Sequence, residues 1–434
     1  MLPPRLYRRR ITVISAVLGL VLLYQFFSLQ PRFDRTESSV DYDATKPRPE
    51  CPPQLRELED VLVVMKTGVT EALDKVPVHF QTSFRCVPNF VIFSDFEEDI
   101  GGVRVHDAFR NMDPEVLRTV PDFDIYNRLR KMGRRGLDTN DFQDEANSAI
   151  GKPNNPGWKL DKWKFLPMVQ ETLRHKNDAK WYVFMEADTF FFWPNLLAWL
   201  QRFDPRQPLY IGTETQIADV VFAHGGSGFV VSNPAMQLAA NEYATRTSEL
   251  NTYTNYHWAG DCVLGKVLHD VGVGLHFSWP FLQNSNLGEL DAFNTDLYRR
   301  PWCYPAIALH HLTNEDIKDL WQFERHRWLY LGKTLTLHSD LFRERIYPDT
   351  PPRRDNWNNF ANDEQAVDIS FEDCESICDS RLDCVQFALR AGRCYTGNRP
   401  RLGIAGLDVQ SGWMTGRIKK MLDDAPSCPK PNFD

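Results

Sequence analysis

The uninterrupted apolar run Trp181-Tyr182-Val183-Phe184-Met185 ends in Glu186-Ala187-Asp188, and this junction constrains the fold more than any other segment. Five consecutive apolar residues read as a strand buried on both faces, as in a parallel sheet covered by helices. Carboxylates at i and i+2 on the end of such a strand point to the same side. Ligands of open α/β sheets bind beyond the carboxyl ends of the strands, so two acids placed there can hold a divalent cation against a phosphate-bearing substrate. Taken alone, an acid-x-acid triplet is better read as a solvated strand end, and it is the remaining chain that shifts the balance.

Further segments repeat the pattern. Residues 61–65 form a second apolar run, ending at Lys66-Thr67-Gly68, and residues 90–93 a third, ending at Ser94-Asp95. Residues 162–174 carry the apolar spacing of an amphipathic helix, and residues 194–203 that of a helix following the central strand. Strands alternating with helices predict an α/β fold with a mostly parallel sheet. Residues 106–160 give no clear reading.

The N-terminus has a different character. Arg5, Arg8, Arg9 and Arg10 precede residues 11–29, which carry no charge. As a helix this stretch reaches about 28 Å, close to the hydrocarbon thickness of a bilayer. The arginines keep the N-terminus cytosolic and direct the remaining chain across the membrane. A cleaved signal peptide is the competing reading, but the apolar stretch is long for one and Ser28-Leu29-Gln30-Pro31 is a poor cleavage site. An uncleaved anchor, residues 11–29 after a cytosolic tail 1–10, is therefore expected. Everything beyond it would be lumenal, which suits nine cysteines that all follow the anchor. A net charge of −8 with no long basic stripe argues against a nucleic-acid partner.

Residues 30–56 read as an extended, proline-bearing stem, 57–346 as the main globular domain and 347–365 as a proline-rich linker. In the final segment, 366–434, Cys374, Cys378, Cys384 and Cys394 cluster with the spacing C-x3-C-x5-C-x9-C. The first two would lie one turn apart on a helix that faces a hairpin bearing the others. A zinc site is the rival reading, but the lumenal setting and the lack of histidine in the cluster favour two disulfides. For the remaining cysteines, Cys51–Cys86 and Cys262–Cys303 are the expected pairs, with Cys428 free or intermolecular.

Three more pieces carry chemistry. Gly225-Gly226-Ser227-Gly228 opens the strand Phe229-Val230-Val231-Ser232, and glycines there let backbone approach a ligand closely, although a tight turn explains them too. Gly260-Asp261-Cys262 begins a helix, where Asp261 could also serve as a simple N-cap. Leu309-His310-His311 ends an apolar run with two imidazoles, more often a structural arrangement than a ligating one.

In this order the pieces resemble the inverting glycosyltransferases of family 31, close to the core 1 β1,3-galactosyltransferases and Fringe and in particular their fungal forms. Met65-Lys66-Thr67-Gly68 resembles the family's M-T-G segment, and Glu186-Ala187-Asp188-Thr189-Phe190 stands where the family has D-D-D-T-Y. Gly225-Gly226-Ser227-Gly228-Phe229 resembles G-G-A-G-Y/F, Gly260-Asp261-Cys262-Val263-Leu264-Gly265 resembles E-D-V-x-x-G, and Leu309-His310-His311 resembles F-H-x. The resemblance covers roughly residues 57–330. It implies a Rossmann-like GT-A domain in which Mn²⁺ sits between the acidic triplet, a late histidine and the diphosphate of a UDP-sugar. Asp188, His310 and Glu186 would be metal ligands or near the metal, and Asp261 the general base. Thr67, Gly68, Asp95, Lys162, Glu186, Gly226 and Gly228 would contact the UDP-sugar. The implied reaction transfers a hexose, with galactose the expected one, to a hydroxyl of a lumenal glycoprotein or glycan in the Golgi, by a type II membrane protein with homodimerisation open. The chain departs from the family at Ala187, where the middle acid is lost, at the lengthened Glu186, and at Gly260, which replaces a glutamate. A non-catalytic carbohydrate-binding or scaffold protein on the same fold is the alternative. The C-terminal segment resembles a PAN/Apple module, a small disulfide-bonded α+β domain, whose nested pattern implies Cys374–Cys394 and Cys378–Cys384.

Overall fold

In the computed structural model, which describes residues 51–143, 152 and 154–434, the three apolar runs become adjacent strands. These are β1 (Val61–Lys66), β2 (Phe90–Ser94) and β5 (Trp181–Glu186). With β3 (Glu98–Ile100), β4 (Val103–Asp107), β7 (Tyr210–Gly212), β10 (Phe229–Ser232) and β11 (Leu275–Phe277) they make an eight-stranded sheet in the order β11-β7-β10-β5-β1-β2-β4-β3. Its centre is parallel, β5 to β1 to β2 to β4, while β10 runs antiparallel between β5 and β7. A hairpin, β8 (Glu214–Ile217) with β9 (Val220–Ala223), stands beside it.

The apolar runs are continuous because both faces of the sheet are covered. Val61, Val63, Met65, Val183 and Met185 enter one hydrophobic cluster, and Leu62, Val64, Tyr182 and Phe184 enter the other. Helix Trp193–Leu200 packs on the first face, and helices Phe165–His175 and Gly260–Asp270 on the second. The helix expected over 162–174 begins later, at Phe165, and is preceded by a separate short helix, Pro156–Asp161, whose N-cap Asn155 accepts from the Trp158 N–H.

Register brings the site residues together. Lys66 lies opposite Glu186 in the β1–β5 pair, so the carboxyl ends of both strands finish side by side. Because β10 is antiparallel to β5, the glycine turn before it hangs over that same end. A short strand β12 (Ala308–Leu309) pairs with β6 (Phe190–Phe191), which sets His310 beside Thr189.

Residues 353–358 and 363–367, expected to lie mostly in a linker, are instead strands β13 (Arg353–Asn358) and β14 (Asp363–Val367). They flank a five-stranded antiparallel sheet, β13-β17-β15-β16-β14, with β15 (Gln386–Arg390), β16 (Arg393–Gly397) and β17 (Ile404–Trp413). The proline-rich run 347–352 suggested a linker, but it ends before these strands, whose exposed and largely polar residues suit the edges of a sheet. Helix Phe371–Ser380 crosses the sheet and is tied to it by Cys374–Cys394 and Cys378–Cys384.

Cys51–Cys86 is a disulfide. The Cys262–Cys303 pair is not formed: Cys303 bonds Cys428, and Cys262 is a buried free thiol on the helix behind the site. The C-terminal segment is no separable appendage, since Val385, Trp413, Ile418 and Leu422 belong to the same cluster as Val63 and Met185. The tail, the stem up to residue 50 and the anchor expected over 11–29 lie outside the described residues; among the described ones no helix is long and apolar enough to cross a membrane.

Candidate functional site

Beyond the ends of β1 and β5 lies a cleft of about 640 Å³ whose walls include Lys66, Glu186, Asp188, Gly226, Asp261 and His310. Asp188 follows the last residue of β5 by two positions. Its Oδ1 lies 3.2 Å from His310 Nε2 and its Oδ2 accepts from Lys75 Nζ at 3.0 Å. Asp188, His310 and His311 each bring a ligand atom within 4.8 Å of the others. One carboxylate and two imidazoles form a donor set suited to a divalent transition ion. His311, exposed and at a positive φ of 56°, completes a cluster for which the sequence offered His310 alone. His310 Nδ1 is 2.8 Å from Asn284 Oδ1, an acceptor that leaves Nε2 facing Asp188.

Charge is dense here. Burial would push the Asp188 and Glu186 carboxyls up, yet both are held well below the ordinary range, Asp188 by His310 and Lys75 and Glu186 by Lys66 and His310. Burial would lower His310, but the two carboxylates outweigh it and raise the imidazole to about 9. Glu186 flanks the three-residue cluster, with its Oε2 3.7 Å from His310 Nε2. Its Oε1 pairs with Lys66 Nζ at 3.0 Å, and Lys66 also pairs with Asp161. Ala187 faces the other way, into the core at 1% exposure, while its carbonyl lies 2.8 Å from His79 Nε2.

Asp261 sits in the first turn of helix Gly260–Asp270 but is not its N-cap; Ala259 holds that position. The Asp261 carboxylate accepts from the N–H of Gly225 and of Cys262, each at 2.9 Å. Burial dominates over those hydrogen bonds and pushes its pKa up to about 6. The same glycine turn reaches the carboxylate–imidazole cluster. A Cβ on Gly226 would overlap the His310 ring, and the Gly226 carbonyl accepts from Thr189 Oγ1 at 2.8 Å. One turn therefore holds the carboxylate of Asp261 on one side and the imidazole of His310 on the other.

The other expected contacts divide. Thr67, Gly68 and Lys162 line the cleft, with Lys162 Nζ already paired to Asp122 at 2.9 Å and donating to the Asn255 carbonyl at 3.2 Å. Asp95 is buried beneath the Gly68 turn, where its Oδ1 accepts from the Val69 N–H at 2.6 Å, so it supports the wall rather than forming it. Gly228 also lies behind the cleft: it has φ 76°, and a Cβ there would strike the Phe191 ring. Lys66 and His311 were inside motifs read from the sequence, whereas Lys75, Asn284 and Asp161 had no local signal and reach the site only through the fold.

A Fringe-like family model matches residues 152–314, which contain the acidic triplet, the glycine turn, Asp261 and His310. This similarity supports a glycosyltransferase of the family 31 kind.

Proposed function

We propose that the chain is an inverting, metal-dependent glycosyltransferase that moves a hexose, galactose foremost, from a UDP-sugar to a hydroxyl of a lumenal glycoprotein or glycan. The observation that carries this reading is the glycine turn that fixes a high-pKa carboxylate and a carboxylate–imidazole cluster in one cleft. Asp188, His310 and His311 would hold the cation, Mn²⁺ by the family resemblance, which when bound neutralises charge on the departing diphosphate. Asp261 is ionised at neutral pH yet basic enough to take the acceptor hydroxyl's proton as that oxygen attacks the anomeric carbon. Displacement from the face opposite the diphosphate inverts the configuration. Lys66 and Lys75 add positive charge to the same wall and keep Glu186 and Asp188 ionised.

The proposal includes a Golgi location and a type II topology with residues 11–29 as the anchor, and it treats the C-terminal module as PAN/Apple-like. The test is turnover: the full chain incubated with UDP-galactose, Mn²⁺ and a panel of glycosides and glycopeptides should release UDP and extend one acceptor. A carbohydrate-binding scaffold would bind sugar without releasing UDP from any donor, and that outcome would replace this reading.

A further inference from the structure

Asn284 belongs to residues 283–295, a loop with no helix or strand of its own. At its near end the loop is bonded to the segment of His310. The Gln283 N–H donates to the Ala308 carbonyl at 3.0 Å, and the His310 N–H donates to the Ser285 carbonyl at 3.1 Å. Between these bonds the Asn284 side chain meets His310 Nδ1 at 2.8 Å. At its far end the loop runs into the C-terminal segment. Asn286 Oδ1 accepts from the N–H of Gly288 at 2.8 Å and of Glu289 at 3.1 Å, which folds residues 286–289 into a turn. That turn is pressed onto Gly403, whose N–H donates to the Gly288 carbonyl at 2.8 Å. A Cβ on Gly288 would come within 2.1 Å of the Gly403 carbonyl oxygen. Gly403 itself has φ 90°, and a Cβ there would strike the Asn358 carbonyl. Arg399 closes the junction: its Nη1 pairs with Asp291 at 3.1 Å and donates to Asn294 Oδ1. Leu287 packs on the same cluster as Trp357 and Leu402 of the C-terminal segment.

The orientation of an imidazole ligand is set by the group that its other nitrogen meets. For His310 that group is Asn284, an exposed side chain on the rim of the cleft. Its position is therefore that of the loop backbone. A shift of about 1 Å would stretch the bond to Nδ1 beyond hydrogen-bonding range and free the ring to turn away from Asp188. Contacts between two bodies of chain that carry no regular structure are where such a shift is prevented, and here they are made by Gly403 and Arg399.

We propose that the C-terminal segment is a positioning element for the cation cluster. By clamping residues 286–294 through Gly403 and Arg399 it sets Asn284, and through Asn284 the ring of His310. The proposal rests on the reading of Asp188, His310 and His311 as a cation site, which the parent chain tests separately. The experiment is calorimetric titration of Mn²⁺ into the detergent-solubilised full chain and its variants, with thermal unfolding measured alongside. Asn284→Ala should weaken Mn²⁺ binding about tenfold. Arg399→Ala should weaken it about threefold, and Arg399→Lys, which keeps a charge opposite Asp291, should recover most of the loss. In the Asn284→Ala chain, Arg399→Ala should have no further effect, because both changes act through one hydrogen bond. An arginine that only stabilises the fold would lower the unfolding temperature and leave Mn²⁺ affinity unchanged, or weaken it by the same factor in both chains; either result overturns the proposal. Should Arg399→Ala not fold, Asp291→Asn, which removes the pair from the loop side, is read in the same way. Binding by the parent that neither Asn284→Ala nor the junction variants alter overturns this proposal alone. No Mn²⁺ binding by the parent overturns the cation-site reading and the proposal with it.

Discussion

At the scale of single residues, the account turns on Asp188, His310 and Asp261. Asp188→Asn removes the only carboxylate of the three-residue cluster and should weaken Mn²⁺ binding at least tenfold, measured by calorimetry, while thermal unfolding still shows a folded protein. His310 makes a separate forecast. Its pKa of about 9 means that near pH 7.5 the metal-free ring carries a proton that has to leave before Nε2 can bind a cation. Mn²⁺ binding should therefore release close to one proton, read from calorimetry in buffers of different ionisation enthalpy, and affinity should fall as the pH is lowered. The sign for stability is the reverse. The charged His310 contributes to the metal-free fold fully below the ordinary imidazole value of 6.5, and that contribution is lost as the pH rises through about 9. For Asp261, raised to about 6 by burial, kcat/KM should fall as the pH drops below that value. Asp261→Asn should cut transfer roughly 10²–10⁴-fold with UDP binding intact. Preserved transfer in that variant would remove Asp261 as the base.

At the scale of elements, the strand ends and the glycine turn decide what the site can tolerate. Gly226→Ala places a methyl group in the His310 ring, so metal binding should be lost although Gly226 touches no metal. Ala187→Asp would restore the acid found in the family's triplet, but this side chain faces the core. The substitution should destabilise the protein by roughly 1–3 kcal/mol or more without improving Mn²⁺ affinity, as denaturant unfolding and calorimetry would show. The three central strands and the turn were legible in the sequence because each is a local pattern: an apolar run, or glycines before one. The partner of Asp95 was not legible, because a strand-end acid looks the same whether it faces a ligand or holds the next turn, and only the fold shows its Oδ1 accepting from the Val69 N–H. Lys75 and Asn284 left no trace for a related reason, since they meet Asp188 and His310 across 113 and 26 residues of chain.

For the whole molecule, the C-terminal segment packs into the same body as the central sheet. Its residues share the main hydrophobic cluster, the Gly403 N–H donates to the Gly288 carbonyl at 2.8 Å, Arg399 pairs with Asp291 at 3.1 Å, and Tyr304 donates to the Asp434 carbonyl at 2.9 Å. The segment that includes Gly288 and Asp291 begins next to Asn284, which orients His310. Its nested disulfides were expected from the resemblance of this segment to a PAN/Apple module, whereas Cys303–Cys428 was missed because spacing cannot reveal a bond between two regions that meet only in the folded chain. Replacing Cys303 and Cys428 by serine should cost about 2–5 kcal/mol and lower the unfolding temperature of the whole body in one transition. An early, separate transition would contradict the shared core. The most direct test of the central claim is calorimetric titration of UDP into the detergent-solubilised full chain, once with Mn²⁺ and once with chelator. The account predicts binding with Mn²⁺ and none with chelator; binding that ignores the chelator, or no binding in either condition, would contradict it.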